Sequence, residues 1–183
     1  MAGSLIGIGC RTLLATVLVL TAWWKLTNEA EFEASFRRLA PTAMHRLAPA
    51  AAWIIAATEG AVAFLLLAGT EIRPLALLGP LAGCALVGSF TIALARGGDE
   101  RGCGCWYTPA SIHRKAKLVP IGRNFALLAA LIAAAVLSSD SHHVGVVAAM
   151  PPIVAGLILA ALLIQAPQIV AAVTFDPPVS GVR

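Results

Sequence analysis

Two cysteines separated by a single glycine form the most reactive arrangement in this sequence. Cys103 and Cys105 lie in the polar segment RGCGCWY, which begins at residue 101. Gly104 gives the backbone the freedom to close the small ring that a Cys103–Cys105 disulfide would form. Strained disulfides are easily reduced, and nearby cations favour the attacking thiolate. Four such cations are close in sequence: Arg101, Arg114, Lys115 and Lys117. The spacing therefore predicts a dithiol/disulfide pair that exchanges electrons with a partner.

Two other interpretations of this segment remain open. Cys103 and Cys105 could be reduced cysteines with no chemical role. They could also bind a metal ion together with His113. A structural zinc site normally needs four ligands at wider spacing, so the sequence favours redox chemistry over metal binding.

The composition indicates that these residues are positioned by membrane-spanning helices. Hydrophobic residues make up 59% of the 183 residues and charged residues only 12%, whereas soluble domains carry about 25% charged residues. The formal net charge of +4 does not indicate nucleic-acid binding, because the basic residues flank the apolar runs and there report membrane orientation.

Five apolar runs are each close to the length of about 20 residues that a helix needs to cross a bilayer. They cover residues 4–26, 48–69, 74–95, 123–137 with an extension to 118, and 144–164. The sequence predicts an all-α fold, a polytopic membrane helix bundle. Between the first two runs, Phe32, Phe36, Leu39 and Leu47 recur at helical spacing among charged residues, which predicts a short helix on the membrane surface.

Basic residues predict the orientation of the bundle. They concentrate in segments 25–47 and 96–123, and two spans lie between these segments. Both segments must therefore share one side, and the positive-inside rule predicts that this side is the cytoplasm. The N-terminus is then outside and the C-terminus inside the cell.

Charged residues also lie deep within the first two apolar runs. Arg11 and Glu59 fall at depths that differ by about 5 Å when they are counted from the same membrane edge at 1.5 Å per residue. We expect them to pair between the first two helices, either to lock the bundle or to serve its chemistry. Glu59 could instead handle protons. Lys25 closes the first run beside Trp23 and Trp24, in the manner of an anchor at the membrane interface.

Two further cysteines lie inside the apolar runs. Cys10 and Cys84 are each about ten residues from the outer edge, so they could meet as a second thiol pair that relays electrons across the membrane. A buried cysteine is more commonly a small apolar filler.

The order of these features resembles the MauE family, the methylamine-utilisation membrane proteins that are grouped with DoxX-like redox-associated membrane proteins. Arg11 opens a span that ends with Lys25-Leu26, and Glu59 lies in the middle of the second span. Cys103-Gly104-Cys105-Trp106 is similar to the family's Cys-x-Cys-Phe-Gly element, although Trp106-Tyr107 replaces Phe-Gly. Arg123-Asn124 is similar to the pair that opens the family's next helix.

The resemblance implies a four-helix DoxX/MauE-like transmembrane core over residues 1–138, with the Cys-Gly-Cys loop at 96–122, and a fifth transmembrane helix with a tail over 139–183. It implies a multi-pass protein of the plasma membrane, a thiol-disulfide oxidoreductase that exchanges reducing equivalents with a thioredoxin-like partner in the maturation of extracytoplasmic proteins. Cys103 and Cys105 would react; Arg11, Lys25, Glu59, Trp106, Arg123 and Asn124 would support them.

The redox-active disulfide would be the reacting group, and a quinone is an alternative electron carrier. If the partner is extracytoplasmic, the predicted cytoplasmic loop requires either a reversed orientation or an electron route such as Cys10 and Cys84. Two other functions stay open: an accessory subunit that stabilises a larger membrane complex, and a small-molecule carrier that uses Glu59.

Overall fold

The computed structural model describes residues 2–70, 75–96, 118–137 and 146–174. Within these ranges the chain is an all-α membrane helix bundle with no strand. Its helices are α1 (Ala2–Thr27), α2 (Glu29–Leu39), a 3₁₀ helix (Thr42–Leu47), α3 (Ala48–Ala68), α4 (Leu78–Arg96), α5 (Leu118–Val136) and α6 (Val146–Thr174).

Each of the five apolar runs predicted from the sequence contains a long helix. Three apolar stretches are long enough to cross a membrane: Leu5–Thr27, Thr42–Ala68 and Leu78–Arg96. Shorter apolar stretches occupy Ile121–Val136 in α5 and Ala149–Leu163 in α6. Between the first two runs, the predicted helix is present as α2 and includes Phe32, Phe36 and Leu39, whereas Leu47 lies in the following 3₁₀ helix.

Local sequence explains where α2 and α3 begin and end. Asn28 adopts a non-helical conformation, and its side-chain amide donates to the Trp24 carbonyl oxygen at 3.0 Å, which separates α1 from α2. The chain leaves α2 at Ala40 in an extended conformation, as expected for a residue before proline. Pro49 lies in the first turn of α3, where its missing N–H removes no helical hydrogen bond.

The core of the bundle forms around α1, which packs most extensively against α3 and α6 and also against α5. Helix α4 packs against α3 and α5. Small residues allow the closest approaches: a Cβ added at Gly79 of α4 would lie 2.8 Å from the backbone nitrogen of Leu66, and one at Gly156 of α6 would lie 2.7 Å from the carbonyl oxygen of Gly9. Glycine at these crossings lets the helix backbones come together without a side chain between them.

Contacts between helix ends show that the two long polar segments attach to the same end of the bundle. Lys25, near the C-terminus of α1, contacts Phe90, near the C-terminus of α4. Asn124, near the N-terminus of α5, bonds Thr91 of α4. We call this end, which comprises the C-termini of α1 and α4 and the N-termini of α3 and α5, the loop end. Residues 28–47 join the ends of α1 and α3 there, and α4 ends and α5 begins there on either side of segment 97–117.

Candidate functional site

Cys103, Cys105, Trp106 and His113 lie outside the described residues, in segment 97–117. The structure does describe the helix ends to which this segment is attached, Arg96 of α4 and Leu118 of α5.

A buried ion pair lies at the loop end of the bundle. The Lys25 ammonium Nζ is 2.6 Å from Oε1 and 2.8 Å from Oε2 of Glu59, and donates to both. The side chains are 0% and 3% exposed, respectively. The ammonium also lies 3.4 Å from the carbonyl oxygen of Thr21, one turn back along α1. Each charge is thus neutralised by a partner of opposite sign, without which burial in a membrane protein would be very costly.

Two aromatic rings enclose the Lys25 ammonium. The ring centroids of Phe32 and Phe90 each lie 5.7 Å from Nζ. This distance is within the range of a cation–π interaction. Because Phe32 belongs to α2, Phe90 to α4 and Glu59 to α3, side chains of three helices converge on a cation of a fourth helix, α1.

The prediction that Arg11 pairs with Glu59 is wrong. Arg11 is 3% exposed, but its guanidinium donates instead to the carbonyl oxygens of Leu66, at 3.3 Å, and Ala76, at 2.7 Å. The Leu66 carbonyl is one of the last four of α3, which have no partner within the helix. Arg11 therefore holds the C-terminus of α3 to the turn before α4, where a cation also interacts favourably with the helix dipole.

The predicted partner of Glu59 was wrong because depths counted along the helix backbone ignore the length and direction of side chains. Side chains on a helix point towards its N-terminus, so Lys25 reaches back into the bundle by the length of its own side chain. Trp24 also packs in the cluster that contains Ala51 and Ala52, so the end of α1 lies about one helical turn beyond Ala48, the first residue of α3. Both effects bring Nζ to Glu59. Lys25 is accordingly a buried residue and not the interfacial anchor that the sequence suggested.

Asn124 ties the two helices that carry the cysteine segment. Its side-chain amide donates to Oγ1 of Thr91 at 3.1 Å, and that hydroxyl donates to the Val87 carbonyl oxygen at 2.7 Å. Asn124 is buried, whereas the neighbouring Arg123 is partly exposed. Sequence reasoning identified Arg123 and Asn124 but missed Thr91, because a single threonine in an apolar run gives no signal of its partner.

Cys10 and Cys84 are free, partly buried thiols in the structure. Both pack against the main hydrophobic core. Their helices, α1 and α4, are not among the helix pairs that pack extensively; α3 and α5 each contact both. The packing is that of small apolar fillers, and the relay between Cys10 and Cys84 stays a prediction.

The family model described as methylamine utilisation protein MauE matches residues 3–139 of the 183. This chain belongs to the MauE family. The predicted resemblance is thereby confirmed. The MauE match takes in α1 to α5 with segment 97–117, and it ends before α6 begins at Val146. Comparison with curated proteins and with solved structures gave no match.

The described part of this MauE protein has no group of three or more His, Cys, Asp or Glu side chains that could hold a metal ion. The alternative of a metal site at Cys103, Cys105 and His113 falls outside that part of the chain. At the loop end, the described residues provide a buried ion pair, two aromatic rings and a hydrogen bond that links α4 to α5.

Proposed function

We propose that this membrane protein carries out thiol–disulfide exchange through Cys103 and Cys105. The observation that carries the proposal is the attachment of their segment. Both of its ends continue into packed helices, α4 and α5, which the Asn124–Thr91 hydrogen bond joins near the segment. We infer that the pair serves a soluble partner at the loop end, because the two helices that flank its segment, α4 and α5, both meet that end.

The exchange needs no group beyond the two proteins. The thiolate of one cysteine attacks a sulfur of the partner's disulfide, forms a mixed disulfide and releases the partner's other sulfur as a thiolate. The second cysteine then attacks the mixed disulfide, which frees the reduced partner and leaves a Cys103–Cys105 disulfide. Two electrons pass to the partner, and the two protons lost by the cysteines match the two that its thiols gain. The reverse sequence reduces Cys103–Cys105.

The partner in this proposal is a thioredoxin-like protein that matures extracytoplasmic proteins, as the family resemblance implies. We place the protein in the plasma membrane, with both long loops in the cytoplasm as the distribution of basic residues favours. A partner outside the cell then requires an electron route across the bundle, such as Cys10 and Cys84 or a quinone, or else the reversed orientation. The buried Lys25–Glu59 pair gives specific support to one other function, a small-molecule carrier, because intramembrane ion pairs often mark transport routes.

A redox titration tests this proposal. The full-length protein in native membranes is equilibrated with mixtures of reduced and oxidised glutathione, and free thiols are then trapped with a maleimide that adds mass. Cys103 and Cys105 should change state together across the titration. The matched control is the Cys10→Ser/Cys84→Ser variant, which keeps the reactive pair and should titrate like the wild type.

The carrier alternative makes the opposite prediction for the variants. If function requires thiol exchange, Cys103→Ser with Cys105→Ser abolishes it. If the protein is a carrier that uses Glu59, that double variant stays functional while Glu59→Gln does not. A Cys103–Cys105 pair that remains in one state at every glutathione ratio would refute the redox proposal.

A further inference from the structure

Helix α2 lies between the buried ion pair and the charged surface of the loop end. Its inner face contributes Phe32 and Phe36, which pack against Ala51 and Ala52 at the start of α3. Phe32 is 3% exposed, and its ring lies 5.7 Å from the Lys25 ammonium.

The outer face of the same helix is charged and exposed. It carries Glu29, Glu31, Arg37 and Arg38. A helix with one face in water and the other against an intramembrane cation separates the two environments, and Phe32 is the side chain at that boundary.

Both ends of α2 are shaped like hinges. At its start, Asn28 has φ −126° and ψ 47°, outside the helical region. At its end, Ala40 has φ −81° and ψ 146°, and Pro41 follows in an extended conformation. A rotation of α2 about these two points changes few backbone dihedral angles, as is typical of hinged segments.

Side-chain hydrogen bonds do not fix α2 to the other helices in the described part of the chain. Its ion pair, between Glu33 and Arg37 at 2.8 Å, lies within the helix. Between its hinges, α2 is attached by an apolar cluster, in which Phe32 and Phe36 pack with Ala51, Ala52, Trp24 and Ile55, and by the contact of the Phe32 ring with the Lys25 ammonium. These contacts depend on two side chains of α2 and involve no directional hydrogen bond, so they open locally at lower cost than the packed bundle does.

We infer that α2 is a lid that controls the access of water to the Lys25–Glu59 pair. With the lid closed, the pair is dry and enclosed by Phe32. With the lid open, water from the loop end reaches the pair, hydrates both charges and exchanges protons with them. This inference concerns the ion pair alone and does not depend on the thiol chemistry proposed for Cys103 and Cys105.

A reporter cysteine beside the pair tests the lid. Thr21 is 8% exposed, and its backbone oxygen already contacts the Lys25 ammonium. Thr21→Cys is introduced into the full-length protein after the four native cysteines have been replaced by serine. The rate of its modification by a small, charged methanethiosulfonate reagent is then measured in membrane vesicles of each orientation.

Loss of the Phe32 ring should raise the labelling rate. Phe32→Ala should increase it by about tenfold or more when the reagent is added on the loop side, because labelling of a buried thiol follows the population of the open state. Phe32→Leu keeps more of the contact and should give a smaller increase. The matched control is Phe64→Ala, which removes a ring that is 68% exposed on the outside of α3 and should leave the rate unchanged.

The outcomes separate a lid from a simple packing contact. Equal rates with phenylalanine, leucine and alanine at position 32 would overturn the inference, as would an increase seen equally from the opposite side. If Phe32→Ala does not fold, the comparison of Phe32→Leu with Phe64→Ala decides the question in the same way.

Discussion

Removing one partner of the Lys25–Glu59 pair should destabilise the bundle much more than removing both. We expect Glu59→Leu and Lys25→Met each to lower the free energy of unfolding by about 3–5 kcal/mol, because each leaves an uncompensated buried charge. The Lys25→Met/Glu59→Leu double variant should lose far less than the sum of these two values.

The magnitude follows from the geometry. At a mean separation of 2.7 Å and an effective dielectric constant of about 20, the gross attraction between the charges is roughly 6 kcal/mol. Burial costs each ion several kcal/mol, so the two contributions nearly cancel while both partners are present. When one partner is lost, the attraction disappears but the cost of burying the remaining ion does not.

The measurement is equilibrium unfolding in mixed micelles of a mild detergent and SDS, followed by circular dichroism, on the four members of the double-mutant cycle. The matched control is Glu33→Gln, which breaks the partly exposed pair with Arg37 on α2. That change should cost no more than about 0.5 kcal/mol. Additive costs in the cycle, or a cost for Glu59→Leu as small as that of the control, would refute the geometry described for the pair.

Three further predictions concern other contacts. Arg11→Met should lower the free energy of unfolding by about 2–3 kcal/mol in the same SDS titration, because the C-terminus of α3 loses a charged hydrogen-bond donor. An effect below about 0.5 kcal/mol would contradict the role of Arg11 in holding that helix end. Gly79→Ala should destabilise by about 1–3 kcal/mol, whereas Gly88→Ala, whose added Cβ would meet no atom within 4 Å, should be near neutral. Equal effects of the two substitutions would contradict the packing. Asn124→Leu should speed proteolysis of segment 97–117 in folded protein, and Thr91→Val should do the same, since either loosens the tie between α4 and α5. Unchanged cleavage in both variants would exclude that role.

The architecture could be predicted because membrane insertion leaves a strong record in the sequence. Long apolar runs separated by charged segments indicate helices directly, since a chain in lipid must satisfy its backbone hydrogen bonds internally. The positions of Phe32 and Phe36 on α2 could likewise be predicted from helical spacing. These features depend on local sequence patterns, which can be recognised within one segment without knowledge of how the segments pack.

The partners of individual side chains could not be predicted in the same way. Whether Lys25 or Arg11 pairs with Glu59 depends on the relative axial position of α1 and α3 and on the direction of the long Lys25 side chain. The hydrogen bond between Thr91 and Asn124 depends on how α4 packs against α5, which the sequence does not show. The resemblance to the MauE family identified Lys25, Glu59 and Asn124 as a set, but the contacts among them required the three-dimensional arrangement of the helices.

The most direct test of the central claim is the state of Cys103 and Cys105 in intact membranes. A membrane-impermeant maleimide is applied from each side in turn to protein that keeps these two cysteines and carries serine at positions 10 and 84, before and after treatment with dithiothreitol. We expect both thiols to become reactive together after reduction, to be protected together after reoxidation by a thioredoxin-like disulfide, and to react from the side that carries both long loops. Thiols that react equally before and after reduction, with no protected state under any condition, would contradict the central claim.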